Sequence, residues 1–260
     1  MPIIITNIDY SPLVIDYEFE IVDEPLLASQ VGELLIGNYL HIIHVINQLS
    51  SQAPQTPNAV INNIINKLVS TSTEKRDGWL FQMISWLALV YKHSGERFFT
   101  QQPHGAPAHH GIDGLAIVFT NKDTIDKIII CEDKFTDNPR NLIQREVWPE
   151  FELFEKSHKD HVLVSTFSTI LQHLNAGQVF QQIQNDIFNR EFRVYRVGIN
   201  RLETHNDEKG RKRLFADYTK CVSGDLPRRS GSTTFINDHK QWMENFSNLV
   251  IAYLNNKKQN

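Results

Sequence analysis

The run Ile128, Ile129, Ile130, Cys131, followed at once by Glu132, Asp133 and Lys134, constrains this chain more than any other segment. Four consecutive apolar residues leave no polar face, so a strand built from them must be covered on both sides. Charges directly after such a run mark where a strand leaves the core. In open sheets, sites are often built at the ends of central strands. The strand period of two puts Glu132 and Lys134 on one face and Asp133 on the other. The chain has 260 residues and is 41% hydrophobic. That is enough for one large domain, or for a catalytic domain with a modest extension.

The surrounding pattern mixes helices with strands. Leu13 to Val22 reads as a strand, and Ala28 to Leu49 as a helix in which Val31, Leu35, Ile42, Val45 and Leu49 fall near helical spacing. A short helix is expected around Ala59 to Leu68. Asp77 is a plausible N-cap for an apolar helix from Gly78 to about His93, carrying Trp79, Phe81, Trp86 and Tyr91 as core aromatics. Short strands follow at Phe98 to Gln101 and Ile112 to Phe119, then the strand Ile128 to Phe135. Pro139 starts a long helix with Leu142, Ile143, Val147, Phe151 and Phe154 on one side, kinked at Pro149. A helix is expected from Ser168 to about Phe188. Phe192 to Leu202 and Arg211 to Val222 read as two strands around the charged turn Thr204 to Gly210. Gly224 to Ser232 reads as a basic loop, and His239 to Leu254 as a closing amphipathic helix. The expected class is therefore α/β (α+β), a mixed sheet flanked by helices. Residues 1–75 would form an N-terminal strand and helical extension, and 76–260 the main domain.

Charge and cysteine content narrow the function classes. The formal net charge is -4, from 26 basic and 30 acidic residues, so any nucleic-acid contact must be local. A metal-dependent enzyme tolerates this balance, because its ions bring positive charge to the phosphate. The two cysteines, Cys131 and Cys221, form no disulfide framework or CxxC zinc pair. No apolar stretch reaches the ~20 residues a bilayer requires. Met1 to Asp9 lacks the basic and apolar regions of a secretory leader. A soluble cytoplasmic protein without membrane contact is expected.

The chemistry gathers around three residues. Asp113 opens one strand, and Glu132 and Lys134 share a face of the next. If these strands pair through the turn near Asn121 to Asp126, two carboxylates and an ammonium converge. Two carboxylates suit a hard cation such as Mg²⁺, with Mn²⁺ as a substitute. Such an ion polarises a phosphate and lowers the pKa of bound water, while the lysine stabilises growing negative charge or orients the water. The Cys131 carbonyl is a further ligand candidate. The plain alternatives are a turn aspartate between Gly111 and Gly114 and a solvent-facing Glu132/Lys134 pair.

The G-I-D-G…C-E-D-K pattern resembles the D…(D/E)xK signature of the PD-(D/E)xK nuclease superfamily, which includes restriction endonucleases, Holliday-junction resolvases and anti-phage defence nucleases. That resemblance implies a restriction-endonuclease-like core: a helix, three antiparallel strands, a second helix and a fourth strand. Gly78 to about Lys156 match the first five elements in order. It implies that Asp113 and Glu132 are metal ligands and Lys134 the catalytic lysine, in a Mg²⁺-dependent endonuclease acting on DNA in restriction or phage defence. Ile112 stands where many members carry proline. Many members add a glutamate from the first helix; here Glu74, Gln82 and Glu96 are the candidates. Gln144 to Trp148 is faintly similar to the Q-x-x-x-Y element of some members.

Phosphate contacts are expected from Arg140, from the basic cluster Lys209, Arg211, Lys212 and Arg213 at a hairpin tip, and from Arg228 and Arg229 in a loop. His104, His109 and His110 with Asp113 form a weak zinc candidate, lacking a helical i, i+4 pair and a thiolate. No GxxxxGK[ST] loop is present, so an ATP-driven step would need a separate helicase or ATPase subunit. The apolar N-terminal helix allows a homodimer. It also allows an alternative function, a catalytically inactive nuclease-fold module that binds nucleic acid or a partner protein.

Overall fold

The computed structural model describes residues 1–107, 112–121, 124–171 and 186–258. In chain order, the first half contains β1 (Ile3–Tyr10), β2 (Val14–Ile21), α1 (Glu24–Leu35), α2 (Tyr39–Ile46), α3 (Asn58–Ser70), α4 (Thr73–Lys92), β3 (Phe98–Thr100), β4 (Gly114–Phe119) and β5 (Ile125–Lys134). The second half contains α5 (Pro139–Leu142), α6 (Trp148–Glu155), α7 (Asp160–Leu171), β6 (Arg193–Arg201), α8 (Glu208–Leu214), α9 (Tyr218–Cys221), β7 (Arg229–Phe235) and α10 (His239–Lys257).

The described strands form a seven-stranded mixed sheet in the order β1-β2-β7-β6-β5-β4-β3. β2, β7, β6 and β5 run parallel, and antiparallel pairs close each side: β1 on β2, and β4 and β3 beyond β5. Both faces are covered, as the Ile128 to Cys131 run requires. On one face Leu115, Ile117, Ile128, Ile130, Val197 and Ile199 pack against Val147, Phe151, Phe154, Leu163 and Phe167 from the helices after β5. On the other, Tyr17 and Phe19 pack with Leu27 and Val31 of α1, Leu80, Ile84 and Leu87 of α4, and Met243, Phe246 and Val250 of α10. α4 is apolar nearly all round because it lies wholly inside this second layer. Its Trp79, Phe81 and Trp86 are buried core residues.

Several expectations need correction. The helix read from Ala28 to Leu49 is two helices. Gly37, at φ +93°, turns the chain, and the N–H groups of Gly37 and Asn38 cap the Leu34 and Glu33 carbonyls. Asp77 is not an N-cap. α4 begins a turn earlier, behind Ser72, and Asp77 is buried inside it against Arg76. Within residues 1–75, β1 and β2 join the main sheet through the parallel β2–β7 pairing. β1 carries no clean alternation and was not foreseen.

Residues Arg211 to Val222 are helical rather than a strand. The buried positions Arg211, Leu214 and Tyr218 recur at helical spacing, and the Asp207 side chain caps α8 by accepting from the Gly210 N–H at 2.6 Å. The expected hairpin is instead a helical crossover joining parallel β6 and β7. Most of the basic loop at Gly224 to Ser232 becomes a 3-10 turn and β7. The helix expected from Ser168 to Phe188 begins earlier, at Asp160, and residues 172–185 lie outside the described residues.

The expected kink at Pro149 takes a specific form. Between α5 and α6 the chain forms a π-helical turn, Ile143–Val147. Proline has no N–H to give the carbonyl four residues back, and its ring collides with that carbonyl. Widening the turn relieves the collision, and π turns often sit at functional sites.

Candidate active site

The register Gly114↔Cys131 between β4 and β5 sets Asp113, just before β4, beside the end of β5. Asp113 Oδ2 accepts the Asp133 backbone N–H at 2.8 Å, and Oδ1 accepts the Gln82 side-chain amide at 2.6 Å. Lys134 Nζ lies 3.4 Å from Glu132 Oε2 and 4.0 Å from Asp113 Oδ2. The Asp113 and Glu132 side chains are each 7% exposed, against 25% for Lys134. The strand–turn–strand geometry thus brings the three expected residues together.

Burial pushes the Asp113 carboxyl up to about 6, against the opposing pull of Lys134. Burial, then the neighbouring Asp113 charge, drives Glu132 well above the ordinary glutamate range. Desolvation opposes the Lys134 charge, but Glu132, Asp113 and Glu146 outweigh it and raise its pKa. When both buried carboxyls are ionised, two negative charges face the Lys134 ammonium. A divalent cation would relieve that repulsion.

Among the three candidates for an added first-helix group, the fold brings Gln82 to the site. Glu74 lies at the start of α4, lining a cleft with Asp77, Phe135, Asp137, His239 and Lys240. Glu96 lies beyond the far end of α4, paired with His93 Nδ1 at 2.9 Å. Glu146, not singled out from sequence, projects from the π turn to within 3.8 Å of Lys134 Nζ. Its signal was readable: Glu146 and Glu150 are four apart, off the apolar side of the same helical run. Among the described residues no three His, Cys, Asp or Glu side chains gather as a metal-binding group. Cys131 lies mid-strand, opposite Gly114 on one side and Arg196 on the other. Its carbonyl therefore belongs to the ladder, and burial pushes its thiol up to about 12.

The basic residues divide by burial. Arg228 pairs with Glu155 and the Ser223 carbonyl, and Arg229 donates to the Leu13, Pro12, Val222 and Gly224 carbonyls. Arg211 pairs with Glu18 and Tyr10. These three are buried, not displayed on a loop or hairpin tip. Arg140 is partly exposed and bound to the Ala216 carbonyl and Asp217. Lys209, Lys212 and Arg213 are exposed on α8. His104 is tied to the Ile112 carbonyl at 2.8 Å. His109 and His110 lie outside the described residues.

Comparison of the chain with protein-family models, curated proteins and solved structures finds no match in any of the three.

Proposed function

We propose that this chain is a divalent-metal-dependent nuclease that hydrolyses phosphodiester bonds in DNA. The observation that carries the reading is the juxtaposition of buried Asp113, just before β4, with Glu132 and Lys134 on the adjacent β5. The order α4, β3, β4, β5, the helical run after it, and β6 supports a restriction-endonuclease-like reading of the core. Asp113 and Glu132 would hold Mg²⁺, or Mn²⁺ in its place. Two carboxylates fit Mg²⁺, which keeps waters and takes further oxygens from substrate phosphate. The bound ion supplies charge neutralisation at the scissile phosphate. Gln82 and the Asp133 N–H orient Asp113 from two directions. Lys134, kept protonated by three carboxylates, holds its ammonium where it stabilises developing negative charge or orients the attacking water. Glu146, largely exposed beside Lys134, is placed to accept a proton from water. A role in restriction or phage defence, with or without a separate helicase or ATPase subunit, belongs to the same proposal.

The test is cleavage of plasmid and linear DNA with Mg²⁺ or Mn²⁺, for the wild type, Glu132→Ala and Lys134→Ala. Cleavage lost in both folded variants supports the reading; normal cleavage by both overturns it. A second reading, a partner-binding module, draws on the exposed Leu40, Val45 and Leu49 of and after α2. It predicts no cleavage by the wild type and a change in complex formation when these side chains become polar.

A further inference from the structure

We propose that Asp133 and Arg196, buried behind β5, act as positioning residues for the candidate site. The inference rests on the nuclease reading and adds to it the device that holds the site in shape. Glu132 and Lys134 leave β5 on one face, and Asp133 leaves on the other. There Asp133 Oδ1 accepts from Arg196 Nη1 at 2.9 Å and from Ser85 Oγ at 2.6 Å. The Asp133 backbone N–H meanwhile holds Asp113 Oδ2. One residue therefore links the buried ion pair to the candidate ligand on the neighbouring strand.

Arg196 is 1% exposed and spends its donors in several directions. Nε donates to the Tyr17 hydroxyl at 2.5 Å. Nη2 donates to the Ser85 carbonyl at 3.0 Å, Ser85 Oγ at 2.7 Å and Ser232 Oγ at 2.9 Å. With Asp133, these partners tie β2, β5, β7 and α4 to β6. Gly198 leaves the space for it: a Cβ there would lie 1.9 Å from Asp133 Oδ1 and 2.5 Å from Ser85 Oγ. The sheet thus opens a slot in β6 for this carboxylate.

Stability alone does not account for such a pair. Replacing a buried ion pair by well-packed apolar residues is often neutral or stabilising, because desolvation offsets the Coulomb gain. What an apolar pair lacks is direction. The fork of Arg196 sets the rotation of the Asp133 residue about the strand, and with it the aim of its N–H and of Glu132 and Lys134.

The experiment compares wild type with the double variant Asp133→Leu/Arg196→Met and with Asp133→Asn. Four quantities are read: thermal stability, Mn²⁺ affinity by calorimetry, kcat and KM for DNA cleavage, and hydrogen-exchange protection of the residue-133 amide by NMR. In the folded double variant we expect a lowered Tm, because Tyr17, Ser85 and Ser232 lose their buried donor; in assays well below that Tm we expect unchanged KM, a loss of roughly 10–100-fold in Mn²⁺ affinity or kcat, and loss of amide protection. Wild-type Mn²⁺ affinity, kcat and amide protection in that variant would overturn the proposal, as would losses that track Tm alone. If the double variant does not fold, Asp133→Asn decides on the same readouts. If the wild type neither binds Mn²⁺ nor cleaves DNA, the nuclease reading fails. Amide protection then decides the positioning claim: its loss in the variants supports the claim, and its retention overturns it.

Discussion

Gln82 donates its side-chain amide to Asp113 Oδ1 at 2.6 Å, reaching across from α4 to the start of β4. A carboxylate at position 82 would face the same oxygen with a charge. Gln82→Glu is therefore expected to lower Tm in EDTA at pH 8, through added repulsion among buried carboxyls. It should also enlarge the Tm gain on adding Mn²⁺. Equal Mn²⁺ shifts in the variant and the wild type would show that residue 82 does not face a cation.

Metal should stabilise the fold in a pH-dependent way. An ion that binds the native state at 100 times its Kd adds about 2.7 kcal/mol. Burial raises Asp113 to about 6, so a proton competes with the ion below that pH. The Mn²⁺-induced rise in Tm is expected to be small at pH 5, to grow through pH 6 and above as Asp113 and Glu132 give up their protons, and to be absent in Glu132→Gln. Calorimetric melts across that range check this.

Asp16 is wholly buried on β2, with Thr233 donating to Oδ2 at 2.9 Å, and burial pushes its pKa from 3.8 to about 6. The raised acid pKa means the folded state holds the proton more tightly than the unfolded chain. Stability is therefore lost as pH rises from about 4 through 6, and regained as pH falls. The shift corresponds to a change on the order of 3 kcal/mol. In Asp16→Asn this component disappears, so variant stability relative to wild type should be higher at pH 7 than at pH 4. A pH-independent difference would contradict the assignment.

The arginines expected to contact nucleic acid should instead report on stability. Arg228 pairs with Glu155 at 2.5 Å, with both side chains largely buried. Arg228→Ala leaves that carboxylate unpaired, at a cost of about 3–5 kcal/mol. Lys212, exposed and paired along α8 with Glu208, should cost less than about 0.5 kcal/mol when replaced by alanine. Urea denaturation of the two variants distinguishes them.

The candidate site was legible where local rules suffice. Glu132 and Lys134 share a face because side chains on a strand alternate, and the turn after Phe119 brings Asp113 alongside. Gln82 was one of three candidates that sequence could not separate, since choosing among them requires the position of α4 over the sheet. Arg196, Ser85 and Tyr17 were invisible for the same reason. Each reads as an ordinary residue in its own segment, and their meeting spans separations as large as 179 residues. Arg211 to Val222 misled because its apolar residues fit a strand loosely and a helix better, and the Asp207 cap was missed.

By itself, the sequence determined that Ile128 to Cys131 must lie between two layers and that Glu132 and Lys134 share a face just beyond it; that the strand stays buried through Asp133 is a matter of the packing around it. The first two follow from hydrophobic patterning and strand alternation, which need no knowledge of distant residues. Tertiary structure alone decided that β1 and β2 complete the same sheet. It also decided that Gln82 meets Asp113 and Glu146 meets Lys134, that Arg228 and Arg229 turn inward, and that Gly198 clears a slot for Asp133. The physical reason is that burial and pairing of polar groups depend on which surfaces meet. Those meetings are set by the packing of α4 and the helices after β5 onto opposite faces of the sheet.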